Sequence, residues 1–334
     1  MSKRSSLFVL GLILPIWLLA QTAFEHFETG LNFIDLEQFE KAHQSFTKAI
    51  VLAPENIDFY LARGELLLME NSEIFNKKNE GNREFYEKAL EDFEIVLSIN
   101  PHSFDANYGK ARLHYMFLEF ANAQTSYDMA VKSSNLIEDK ILALGGRGAC
   151  QFRLGETEGA LLDLERALDY DSDNAIILNE FALMQINLGE YEFAKSTIQK
   201  ILDMRPDDLV ALSNLGYAFL KEGDLNSSLE IYDEVLQKRG PQAFLLSNRA
   251  SCLYGMGKYD EALDEINQSI LIQPKNSFAF KNRAQIYIAL GEMELACNDL
   301  FKAKELGFSL AYGNEVIHLL SKYCLSTNRS PSKN

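Results

Sequence analysis

Residues 209–242, LVALSNLGYAFLKEGDLNSSLEIYDEVLQKRGPQ, and residues 243–276, AFLLSNRASCLYGMGKYDEALDEINQSILIQPKN, are two copies of one 34-residue unit. Superposed without a gap, they put a small residue at the eighth place (Gly216, Ala250) and Gly at the fifteenth (Gly223, Gly257). A second small residue follows at the twentieth (Ser228, Ala262), and a bulky one at the twenty-fourth (Tyr232, Ile266). Segments starting at 141, 175 and 277 continue the register. They carry Gly148, Ala182 and Ala284 at place eight, Ala160, Ala194 and Ala296 at place twenty, and Leu164, Ile198 and Leu300 at place twenty-four. Self-similarity at a fixed period of this length marks a stacked array of identical supersecondary units.

Working toward the N-terminus, the pattern loosens but stays readable. The segment from 23 has Gly30, Ala42, Phe46 and Pro54 at the same offsets. The segment from 57 has Gly64 in place, whereas Ala89, Phe93 and Pro101 arrive 13 residues late because of an insertion, residues 71–83 (NSEIFNKKNEGNR). The segment from 104 has Ala111, Ala123 and Tyr127, with three extra residues before the next copy. Eight units therefore fill the chain from 23 to 310.

Helix geometry explains the spacing. At about 100° per residue, places four, seven, eight and eleven fall within one apolar arc, and the recurring Gly at place fifteen ends the first helix and turns the chain into a second. Helices of this length are marginal alone, so each hairpin buries its face only against its neighbours. The sequence predicts an all-α solenoid of right-handed hand, with no β-layer. A last helix over 311–324 (AYGNEVIHLLSKYC) caps the final unit, and a disordered polar tail occupies 325–334.

The offsets resemble those of the tetratricopeptide repeat, in which small residues at eight and twenty, an aromatic at twenty-four and Pro at thirty-two recur. Pro54, Pro101, Pro206 and Pro274 hold the last of those places. The large aromatic usual at place four stands here only as Tyr60 and Phe280, with His26 and Asn107 among the departures. The resemblance implies a binding scaffold for protein or peptide partners, and no enzyme.

Composition agrees with that class. The chain of 334 residues has 48 acidic against 32 basic side chains, a formal charge of −16, which repels phosphate backbones and excludes nucleic acid as an expected partner. Four Cys without a CxxC pair fit neither a disulfide-built scaffold nor a zinc ribbon, and the five His are scattered. With no HExxH, phosphate loop or GxSxG elbow, the expectation is no catalytic residue, no metal, no cofactor and no small-molecule substrate. Lys3 and Arg4 precede an apolar run from Leu7 to Ala20, which reads as a signal peptide over 1–20. The alternative is an uncleaved anchor, the one way this chain meets a membrane. Either reading places the body outside the cytoplasm, in the periplasm or secreted.

Candidate binding residues follow from the first helices of the C-terminal units. Asn214, Asn248 and Asn282 recur at place six, and such a row can satisfy the amide and carbonyl of an extended peptide, as in the asparagine ladder of tetratricopeptide grooves. Glu180 and Gly146 at the same place confine that ladder to the last three units. Phe244 and Phe278 at place two, Tyr217 at nine, Tyr254 at twelve and Lys281 at five are assigned to the same concave face. Their alternative is contact within the array. Arg249 and Arg283 at place seven read as structural, pairing with local carboxylates. Cys150 and Cys252 read as buried thiols. Cys297 opens the last second helix and Cys324 closes the cap; antiparallel packing brings those ends together, so they form either a disulfide or two buried thiols. Their surroundings, AC, KAKELG and YC, resemble exported tetratricopeptide proteins of Bacteroidota type, which implies the bridge. The alternative function is a structural subunit of an envelope assembly working through convex-face and loop contacts.

Overall fold

The structure, a computed structural model, describes residues 5–66, 68, 81–309 and 313–325, with side chains from 18 onward and, after the insertion, from 86. Most of the insertion at 71–83 and the tail from 326 lie outside the described residues.

Every described element is helical, and the helices fall in pairs. Unit one is the end of α1 (Ser5–Asp35) with α2 (Phe39–Leu52), and unit two is α3 (Ile57–Leu66) with α4 (Gly81–Ile99). Unit three is α5 (Phe104–Met116) with α6 (Phe120–Ser133), and unit four is α7 (Ile137–Leu154) with α8 (Thr157–Tyr170). Then come α9 (Ala175–Leu188) with α10 (Tyr191–Met204), α11 (Leu209–Glu222) with α12 (Leu225–Arg239), α13 (Ala243–Gly255) with α14 (Tyr259–Ile272), and α15 (Ser277–Leu290) with α16 (Met293–Glu305). α17 (Glu315–Leu319) follows and continues in a π-turn, Leu320–Cys324. By contacts the chain divides into two compact bodies, Met1–Asp163 and Leu164–Asn334.

The fold is an α-solenoid. Every residue at place twenty, Ala42, Ala89, Ala123, Ala160, Ala194, Ser228, Ala262 and Ala296, is completely buried, because there the two helices of a pair cross. Place twenty-four fills the space beside it: Phe46, Phe93, Tyr232, Ile198, Ile266 and Leu300 are sealed from solvent. A Cβ on Gly30 would stand 2.4 Å from the ring of Phe46, so no other residue fits opposite that aromatic.

Among the described residues, place fifteen is left-handed backbone in every unit. Gly155, Gly189, Gly223, Gly257 and Gly291 have φ between 77° and 98°, and where Gly is missing Glu37 and Leu118 adopt φ of 56° and 61°. The turn geometry is thus fixed by the hairpin rather than by the residue, and those two side chains bear the strain.

Two boundaries differ from the sequence expectation. α7 starts at Ile137, so the three extra residues before unit four lengthen its first helix instead of forming a linker. The cap begins at Glu315 rather than 311, after a left-handed Gly313. α1 runs unbroken across Ala20 and Gln21.

Candidate functional site

In the second body, four first helices, α9, α11, α13 and α15, present equivalent places at intervals of 34 residues. Three begin at side-chain caps: Asn174 accepts from the Ile177 amide, Asp208 from Val210 and Ala211, and Asn276 from Phe278 and Ala279. Such caps satisfy amides at the helix start and fix where place two points.

The asparagines at place six do not form an open ladder. Asn214 donates to Asn179 Oδ1 of the preceding first helix at 2.8 Å, and Asn282 donates to the Ser247 carbonyl and to Ser251 Oγ at 3.3 and 2.9 Å. Asn282 is 5 % exposed. Asn248 is half-buried beside the Tyr232 hydroxyl of the preceding unit. The physical reason is lateral packing: an angle measured from a hairpin's own buried arc ignores the neighbouring first helix, toward which place six points. These side chains bond one unit to the next.

Lys281 is likewise internal. It is 7 % exposed, its ammonium lies 3.3 Å from Glu315 Oε2 of the cap and 4.7 Å from the ring centre of Phe278, and the ring of Phe308 lies 5.8 Å away. Burial pushes its pKa down, against the opposing pull of Glu315. Phe278 and Phe308 are parallel, with centroids 6.4 Å apart. The segment after α16 thereby fills the face of the last unit, and Cys297–Cys324 ties its far end down by a disulfide. Cys150 and Cys252 are free and buried, and burial raises the pKa of the Cys150 thiol to about 12, so it stays protonated.

Toward solvent there remain Phe244, 43 % exposed, and the partly buried Tyr217 and Tyr254, which pack against core clusters on one side, Tyr254 also tilted against Tyr259. Sequence reasoning missed Ile176 and Val210 at place two of α9 and α11, 60 and 51 % exposed. Their 34-residue offset from Phe244 was the available signal. Among the described residues no group of three His, Cys, Asp or Glu is placed to hold a metal ion.

A tetratricopeptide repeat family model matches residues 179–244 and a second one residues 245–276, a span that runs from within α9 to just past the end of α14. Over residues 179–276 the chain carries tetratricopeptide repeats. Its fold is similar to that of a tetratricopeptide repeat protein from Parabacteroides merdae, with 21 % identity, a TM-score of 0.54, and coverage of 91 % of this chain and 98 % of that one. IFIT1 solved with Gppp-AAAA is similar at 14 % identity and a TM-score of 0.62, over 88 % of this chain and 70 % of that one. A curated relative, the CTR9 homolog protein of Arabidopsis thaliana, is 24 % identical over 173 residues, 43 % of this chain, which spans only 16 % of the relative. Tetratricopeptide repeat proteins are generally non-enzymatic scaffolds for protein partners. Exclusion of nucleic acid gains no support from these likenesses, since one member of the fold was solved with Gppp-AAAA.

Proposed function

We propose that this protein is a non-enzymatic scaffold that holds an extended segment of a partner protein along the first helices of its C-terminal repeats. The observation that carries the reading is the division of labour on those helices. Asn214, Asn282 and Ser247 are consumed in bonds between units, while Phe244 is exposed and Tyr217 and Tyr254, though packed against the core on one side, keep solvent-facing area on the other. Exposed aromatics on a rigid frame are the usual anchors of protein recognition. A protein is favoured over nucleic acid as partner by the charge of −16. Export through the N-terminal segment, or attachment by it, completes the reading, and the Cys297–Cys324 disulfide supports an oxidising compartment.

A second reading, a structural subunit of an envelope assembly, is favoured by Phe193 and Leu295, 68 and 44 % exposed at place nineteen of α10 and α16. Photo-crosslinking in the native host separates the two. A benzoylphenylalanine placed at Tyr217 or Tyr254 is expected to trap a partner that one at Phe193 does not. Trapping from Phe193 alone would overturn the groove reading in favour of the assembly.

A further inference from the structure

Place two of the first helix lies one residue inside the helix start, where an acidic side chain is favoured by the helix dipole. Where place two stands at a helix start in the first body, that preference is followed, with exposed Asp58 and Asp105 in α3 and α5; the other two units carry Phe24 and Leu142 there, both farther inside longer helices. The second body does the opposite: Ile176, Val210, Phe244 and Phe278 occupy the place in four consecutive repeats. Three of the four retain 60, 51 and 43 % exposure, so burial within the array does not account for them. The fourth shows what such a place accepts, because Phe278 is stacked by Phe308 from the chain's own C-terminal segment.

We infer that Ile176, Val210 and Phe244 form a docking rail that continues the Phe278–Phe308 contact. Its occupant is a partner segment in extended form that offers one aliphatic or aromatic side chain to each repeat and carries basic flanks. The inference rests on the scaffold reading above and narrows it to an edge of the first helices and to one partner chemistry. The basic flanks follow from charge. Asp173 and Asp207 stand three residues ahead of Ile176 and Val210 on the loops that lead into α9 and α11, 62 and 86 % exposed. Their ion-pair partners are the exposed Lys200 and Lys238, with Ser172 also donating to Asp173, and exposed pairs of that kind are weak and readily exchanged.

The test is selection of phage-displayed random dodecapeptides on the full, disulfide-bonded chain, followed by affinity measurement with Val210→Asp, Phe244→Asp and Tyr217→Ala. The Asp variants copy what α3 and α5 carry at the same place, so they preserve the helix start, and thermal melts check that they fold. Selected peptides are expected to be rich in spaced apolar residues with Lys or Arg and poor in acids. Their affinity should fall at least about tenfold in either Asp variant. Peptides that tolerate both Asp variants but are lost with Tyr217→Ala overturn the rail and leave the scaffold standing. Selection that yields no binder, or binders insensitive to all three changes, overturns the rail and the groove together.

Discussion

The guanidinium of Arg147 clamps two second helices, donating to both oxygens of Asp163 in its own repeat at 2.6 and 2.8 Å and to Asp128 of the preceding repeat at 2.7 Å. The arrangement recurs wherever Arg holds place seven. Arg63 takes Asp92 and Thr47, Arg283 takes Asp299 and Asn267, and Arg249 takes Glu265 and Asp233. In each case one partner stands at place twenty-three of the same repeat and the other at place twenty-five of the repeat before. Each guanidinium therefore ties a hairpin to itself and to its neighbour.

Removing such a clamp takes the cation away from a buried carboxylate. Asp163 is 2 % exposed, so Arg147→Met should cost about 3 kcal/mol, in the range for breaking a buried pair by deleting one partner. The double variant Arg147→Met, Asp163→Leu should recover much of that loss. Urea midpoints of the single and double variants check it, and a cost below about 1 kcal/mol for the single change would show that the clamp adds nothing.

The strained turns offer a gain. Leu118→Gly and Glu37→Gly place in the left-handed turn the residue that five other repeats use there, and each should stabilise the chain by up to about 1 kcal/mol. Melting of each single variant against the parent decides the sign. A lower midpoint would mean that the Leu118 or Glu37 side chain holds more than its backbone strain costs.

How far the fold was legible depends on the kind of contact. Ala89, Phe93 and Gly223 were readable because contacts inside a hairpin repeat every 34 residues and leave a strict pattern of size and backbone conformation. Arg249 and Arg283 were read correctly as structural for the same reason, since their carboxylates lie in a fixed register. Asn282 and Lys281 were misplaced. Their partners, Ser247 in the neighbouring first helix and Glu315 and Phe308 in the C-terminal segment, belong to packing between units and to a non-repeating segment that leaves no periodic trace. Val210 was overlooked because an aliphatic residue looks like core until its exposure is seen.

That misplacement leads to an expectation of its own. Asn282→Ala removes two bonds to α13 and should lower stability by about 1 kcal/mol, while partner binding stays unchanged. A variant with native stability and lost binding would restore the ladder.

Acid should loosen the first body. His114 is buried, and burial lowers its pKa even though Glu119 accepts from its Nδ1 at 2.9 Å. His43 is lowered in the same way, by burial and then by Arg63. Burial acts to raise the Glu119 carboxyl, but hydrogen bonds from Tyr86, Asn122 and His114 outweigh it and hold the pKa down. With a native imidazole that protonates below the unfolded value, the unfolded chain binds the proton first, so stability falls as pH drops through about 6.5 and below. The carboxyl adds its own loss only nearer pH 4. Urea midpoints at pH 7.5 and 5.5 should differ in the parent, and the difference should shrink in the His43→Gln, His114→Gln variant. An equal difference in both proteins would assign the effect elsewhere.

The disulfide closes a loop of 27 residues, and losing it should cost the C-terminal repeat about 3 kcal/mol. In Cys324→Ser, hydrogen exchange should quicken in α16, in α17 and around Lys281, and stay unchanged around Arg63. Uniform quickening along the chain would contradict the placement of the cap as a local cover.

The scaffold reading is tested most directly by replacing Phe244, Tyr217 and Tyr254 together with Ala and measuring, on one preparation, the thermal midpoint and the native partner retained. The frame predicts a midpoint lowered by no more than a few degrees, since these residues are partly exposed, together with partner retention reduced at least about tenfold. Full retention by a folded triple variant would contradict it.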